Sequence, residues 1–227
     1  MKRKCLMLMF AFALSASMVT AQKKYAVLIT GDYAASSDTL NSNLWNGGRL
    51  STAKGSDEFW NDTFLMWKML QEKGFNQEDI FVLFANGIDF YLDDTEVDPA
   101  YRPTDPYTTV TDYSATLENV NKVFNNLLDG NEGFPKMTED DFLFVWVFDH
   151  GGLVPNDHSY IRLMNDKLII DYEFAQLVNP LPAHKKVFWM QQCNSGGFVD
   201  DLENESTVFL SACQANQGAH PADDNPN

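Results

Sequence analysis

Short, mostly apolar runs alternate along this chain with stretches in which apolar residues recur every three or four positions. Tyr25–Thr30, Ile80–Ala85, Phe142–Phe148, Val187–Met190 and Thr207–Ala212 are runs of the first kind, and each predicts a buried strand. Of the second kind, Trp60, Phe64 and Trp67, with Phe59, Thr63, Met66 and Leu70 beside them, predict a helix with one apolar face. Ser56 is its expected N-cap, Asp57 and Glu58 suit the positive end of its dipole, and Lys73-Gly74 is its expected stop. A second helix is expected from a cap at Ser114, with Leu117, Val120, Phe124 and Leu127 on one face and Gly130 after it. A third, short helix is expected at Asp171–Val178, ended by Pro180.

Buried strands alternating with amphipathic helices predict one α/β domain with a mostly parallel sheet covered on both faces. In such sheets ligands gather beyond the carboxyl ends of the strands. Two of those ends carry reactive residues. The third run delivers Asp149-His150-Gly151-Gly152, and the fourth delivers Gln191-Gln192-Cys193-Asn194-Ser195-Gly196-Gly197. Asn86–Tyr113 has neither a helical nor a strand period and holds seven acids and three prolines, which predicts a long loop. No internal repeat and no second domain are evident.

The first 21 residues change the picture of where the chain works. Lys2, Arg3 and Lys4 precede an apolar stretch from Leu6 to Val19, and Val19-Thr20-Ala21 offers a cleavage site before Gln22. Together they read as a secretory signal peptide, leaving residues 22–227 as the folded domain. The expected destination is therefore periplasmic or extracellular. No later segment is long and apolar enough to cross a bilayer. Without the leader, 13 basic residues face 32 acidic ones, a net charge near −19. Such acidity argues against nucleic acid or an anionic membrane as partner, since phosphate binding needs clustered cations. It leaves solubility outside the cytoplasm, or calcium held by the acidic stretch Asp89–Asp112, as readings; no segment there has calcium-loop spacing.

A cysteine attacks a carbonyl as its thiolate and needs a base nearby, most often a histidine. Backbone N–H groups must then hold the oxyanion. His150 and Cys193, each at an expected strand end and each followed by paired glycines, fit those needs. The amides of Gly151 and Cys193 are the natural oxyanion donors. Each residue also has a plainer reading, Cys193 as a buried thiol or a disulfide partner of Cys213, and His150 as a hydrogen-bonded strand end. His158, His184 and His220 read as surface or loop residues. No zinc spacing, P-loop, G-x-G-x-x-G or G-x-S-x-G is present, so no metal or cofactor is expected.

The blocks V-W-V-F-D-H-G-G and V-F-W-M-Q-Q-C-N-S-G-G resemble the legumain family of cysteine endopeptidases, and more broadly the caspase-like group with caspases and gingipains. K-Y-A-V-L-I-T-G, W-K-M-L-Q-E-K-G-F-N-Q-E-D-I-F-V-L-F and D-Y-S-A-T-L-E-N-V agree with it. The resemblance implies a caspase-like three-layer α/β sandwich that cuts protein or peptide substrates through an acyl-enzyme. In it Cys193 is the nucleophile, His150 the acid or base, and the Gly151 and Cys193 amides the oxyanion hole. T-V-F-L-S-A-C-Q-A-N-Q-G would flank the primary specificity pocket, making Ser211, Cys213 and Gln214, together with Asn194 beside Cys193, substrate-binding residues. Asn194 stands where relatives carry Glu, and Arg49 and Lys54 are the candidates for a basic residue ahead of the first helix. Relatives continue past the pocket loop, so the domain is expected to be C-terminally incomplete. A non-catalytic domain of the same fold, and a transpeptidase using the same site, are the alternatives.

Overall fold

Strand β1 (Lys24–Thr30) lies inside a five-stranded parallel sheet, seen in a computed structural model that describes residues 22–31, 58–93 and 97–219. Around it run β2 (Ile80–Phe84), β3 (Phe142–Val147), β7 (Lys185–Met190) and β8 (Thr207–Ser211), in the order β2-β1-β3-β7-β8. These are the five apolar runs of the sequence. Their uniform apolarity follows from burial on both faces, and the pleat still divides them. Tyr25, Val27, Ile29, Leu143, Val145, Val147, Phe188 and Met190 enter one core; Ala26, Leu28, Val82, Phe84, Phe144 and Trp146 enter the other.

Helix α1 (Glu58–Glu72) closes the second core with Phe59, Trp60, Phe64, Met66, Trp67 and Leu70, the face expected from its spacing. On the first core lie α3 (Leu117–Asp129), α4 (Asp171–Val178) and the short α5 (Val199–Leu202), contributing Val120, Phe124, Leu127, Phe174, Val178 and Leu202. The result is the expected three-layer sandwich. The leader, the polar loop before α1 with Arg49 and Lys54, the Ser56 cap and His220 lie outside the described residues.

Three features differ from the sequence expectation. Helix α3 is capped by Thr116, whose hydroxyl accepts from the Asn119 amide at 3.2 Å; Ser114 instead accepts from the Asn119 side chain. The acidic loop holds a short helix α2 (Phe90–Asp93) and is pinned by its own acids. Buried Asp89 accepts from the Val110 and Thr111 amides, and Asp112 accepts from Val82. Burial pushes the Asp112 carboxyl up to about 6. Finally, a second, antiparallel sheet of β4 (Gly151–Val154), β5 (His158–Leu163) and β6 (Lys167–Ile170) leaves directly from the end of β3.

Candidate active site

Parallel pairing of β3 with β7 sets Val147 level with Met190. His150 and Cys193 each lie three residues beyond that pair, so adjacent strands carry the two to the same edge of the sheet. The ladder runs one bond further, from the Gln191 amide to the Val147 carbonyl at 2.8 Å. Beyond it the two segments touch. A side chain at Gly151 would place its Cβ 2.3 Å from the Cys193 carbonyl oxygen and 2.6 Å from Gln192 Cγ. Only a glycine permits this approach.

The His150 turn is fixed from behind. The buried Asp149 carboxylate accepts from the Gly31 amide, beyond the end of β1, and from the His150 amide at 2.5 Å. The His150 carbonyl accepts from the Arg162 amide at 3.0 Å. That bond makes Gly151–Ile161 a non-hydrogen-bonded pair of the β4–β5 ladder, which leaves the Gly151 N–H pointing away from β5. The imidazole stands edge-on to Phe59, with centroids 5.1 Å apart and planes at 84°. Burial, and secondarily the positive charge of Arg162, pull its pKa down to about 4. At neutral pH it is therefore an uncharged imidazole, able to accept a proton.

Cys193 and Cys213 are both free thiols, which removes the disulfide reading. Cys193 Sγ receives the Ala219 amide at 3.3 Å, and Cys213 Sγ lies 3.1 Å from the Gln217 carbonyl. The segment after β8 folds back on the turn that follows Cys193. Asn194 donates from its backbone to Gln217 at 2.8 Å and from its side chain to Ala215 at 2.7 Å, and Gly196 donates to the Cys213 carbonyl at 3.0 Å. Of the candidate pocket residues, Asn194 and half-buried Cys213 are thus brought together beside Cys193. Ser211 ends β8 level with Met190, and Gln214 lies on the same returning segment; both are exposed.

His184 is exposed, as expected. His158 is more engaged than its turn suggested: its Nδ1 lies 2.9 Å from the buried Asp171 carboxylate. Phe59 and Asp171, placed by the sequence only in helices, and Ser159, not singled out at all, lie close to the site. In β5 Ser159, Ile161 and Leu163 face inward, but the polar Ser159 breaks the apolar alternation that would have pointed to the strand. A separate recess of about 480 Å³ lies against α1, bordered by Leu65, Met69, Trp146 and Trp189; neither His150 nor Cys193 lines it. Among the described residues no three His, Cys, Asp or Glu side chains group as metal donors.

The sequence model of the peptidase C13 family matches residues 53–223, which takes in both strand-end blocks. A comparison with curated proteins finds no significant match.

Proposed function

The chain belongs to the peptidase C13 family, the legumain family of cysteine peptidases, and on that premise we propose that it is an exported endopeptidase working through Cys193 and His150. The observation that carries this reading is the register of β3 against β7, which sends His150 and Cys193 from the same level to one end of the sheet.

The chemistry follows from those positions. The neutral imidazole of His150 takes the thiol proton as Cys193 Sγ attacks the peptide carbonyl. The oxyanion forms against the N–H groups of Gly151 and Cys193, the first of which is spare because β5 does not use it. Imidazolium then returns its proton to the leaving amine, and the C–N bond breaks to give a thioester. Water, deprotonated by the same imidazole, attacks the thioester; the acid product leaves and the thiol is restored. Asn194, Ser211, Cys213 and Gln214, in the nucleophile turn and the segment that returns to it, supply the wall for the substrate side chain. The basic, then apolar leader supports release of residues 22–227 to the periplasm or beyond.

Cleavage of a peptide library by the purified protein, with Cys193→Ala and His150→Ala in parallel, tests the proposal. Cuts at internal bonds that vanish with Cys193→Ala and fall severely with His150→Ala are expected. Turnover that survives the loss of the Cys193 thiol would refute it.

A further inference from the structure

We propose that Ser159 is a positioning residue for Cys193, holding the turn that presents the thiol through a hydrogen bond to the Asn194 carbonyl. The inference rests on the peptidase reading above and adds to it the part of the fold that sets the nucleophile. Asn194, immediately after Cys193, has φ 59° and ψ 18°, in the left-handed region that Asn tolerates better than most residues but still adopts only when held. Four bonds hold it. One is local, from the Gly197 amide to its carbonyl at 3.0 Å. Two run to Gln217 and Ala215, on an exposed segment. The fourth comes from the Ser159 hydroxyl, which donates to the same Asn194 carbonyl at 2.8 Å from a fully buried strand position.

The contact is tight on both sides. A Cβ added at Gly197 would lie 2.0 Å from Ser159 Oγ, so the nucleophile turn rests directly on that hydroxyl. Ser159 is itself anchored. Its amide donates to Asp171 Oδ2 at 2.8 Å, and Asp171 Oδ1 lies 2.9 Å from His158 Nδ1. The same strand holds the other half of the site, since the Arg162 amide binds the His150 carbonyl at 3.0 Å. Strand β5 is therefore bonded to both turns, and the side chain of Ser159 makes its link to the one that carries the thiol.

Three variants test this against a merely structural hydroxyl. Ser159→Ala removes the donor, Gly197→Ala pushes the turn off it, and Ser159→Thr keeps a hydroxyl in place. Steady-state kinetics on a peptide substrate, below each variant's melting transition, should show kcat lowered about tenfold or more in the two alanine variants with KM within about twofold. Ser159→Thr should keep kcat within about threefold of wild type. Unchanged kcat in the alanine variants overturns the inference, as does a raised KM at constant kcat. An equal loss in Ser159→Thr overturns it too. If Ser159→Ala does not fold, Gly197→Ala carries the test. Cys193→Ala measured alongside separates the two ideas: turnover that persists there removes the peptidase reading, and this inference with it. A normal Ser159→Ala beside a dead Cys193→Ala removes the inference alone.

Discussion

Gly151→Ala tests the closeness of the two strand-end segments with a single methyl group. Ordinary contact begins near 3.4 Å, and the new Cβ would stand 2.3 Å from the Cys193 carbonyl oxygen, so the segments must separate by about 1 Å. The nearest obstacle to that methyl is backbone, the Cys193 carbonyl, which cannot swing aside as the Gln192 side chain could. Backbone strain is not involved, because Gly151 lies outside the left-handed region. A misplacement of this size at a reacting centre lowers the rate about a hundredfold, or about 2.7 kcal/mol on the barrier. Overpacking also lowers stability by roughly 1–3 kcal/mol, so kinetics are read well below the melting transition. The assay is kcat and kcat/KM on a peptide substrate, with circular dichroism to verify folding. Gly152→Ala is the matched control: its methyl meets the hydroxyl end of the Tyr160 ring at 2.5 Å, and that ring can turn away. A folded Gly151→Ala enzyme with kcat within twofold of wild type would refute the argument.

Three further outcomes follow from the same structure. Because burial holds His150 at a pKa of about 4, the acid limb of kcat/KM should have its midpoint near pH 4; a midpoint near 6.5 contradicts a buried imidazole. The folded pKa lies below the unfolded one, so between pH 6.5 and 4 the unfolded chain binds the extra proton and stability falls as pH falls, by on the order of 3 kcal/mol. Comparing the pH dependence of urea unfolding in wild type and His150→Gln isolates that contribution, which should be missing in the variant. Asp89→Ala should cost about 2 kcal/mol in urea unfolding, because the Val110 and Thr111 amides lose their buried acceptor. No loss of stability there would mean the acidic loop is held by other means.

The parallel sheet was legible because strands buried on both faces leave unbroken apolar runs, and α1 because its rings recur at helical spacing. The candidate pair His150 and Cys193 stood out for a related reason: they stand where such runs stop and glycines begin. What no local pattern encodes is that β3 and β7 are neighbours, a fact of strand order across forty residues. The β4–β6 sheet escaped notice for a different reason. Its strands are short, and Ser159 puts a hydroxyl at an inward position where an apolar residue would have marked the alternation in β5. That serine faces inward to meet the Asn194 carbonyl, so the residue that hid the strand is one that supports the site. The acids of the Asn86–Tyr113 loop read as a source of solubility or as calcium donors, yet Asp89 and Asp112 serve backbone amides brought to them by the fold.

A covalent bond between Cys193 and the acyl half of a substrate is the central step of the proposed chemistry. Rapid quenching of the protein with a slowly deacylating peptide ester, followed by intact-mass and peptide mass spectrometry, looks for that bond directly. The prediction is an adduct of the acyl mass on the peptide containing Cys193, formed as fast as the first equivalent of alcohol is released and missing from Cys193→Ala. Ester turnover with no adduct at any time point, or an adduct on another residue, would contradict it.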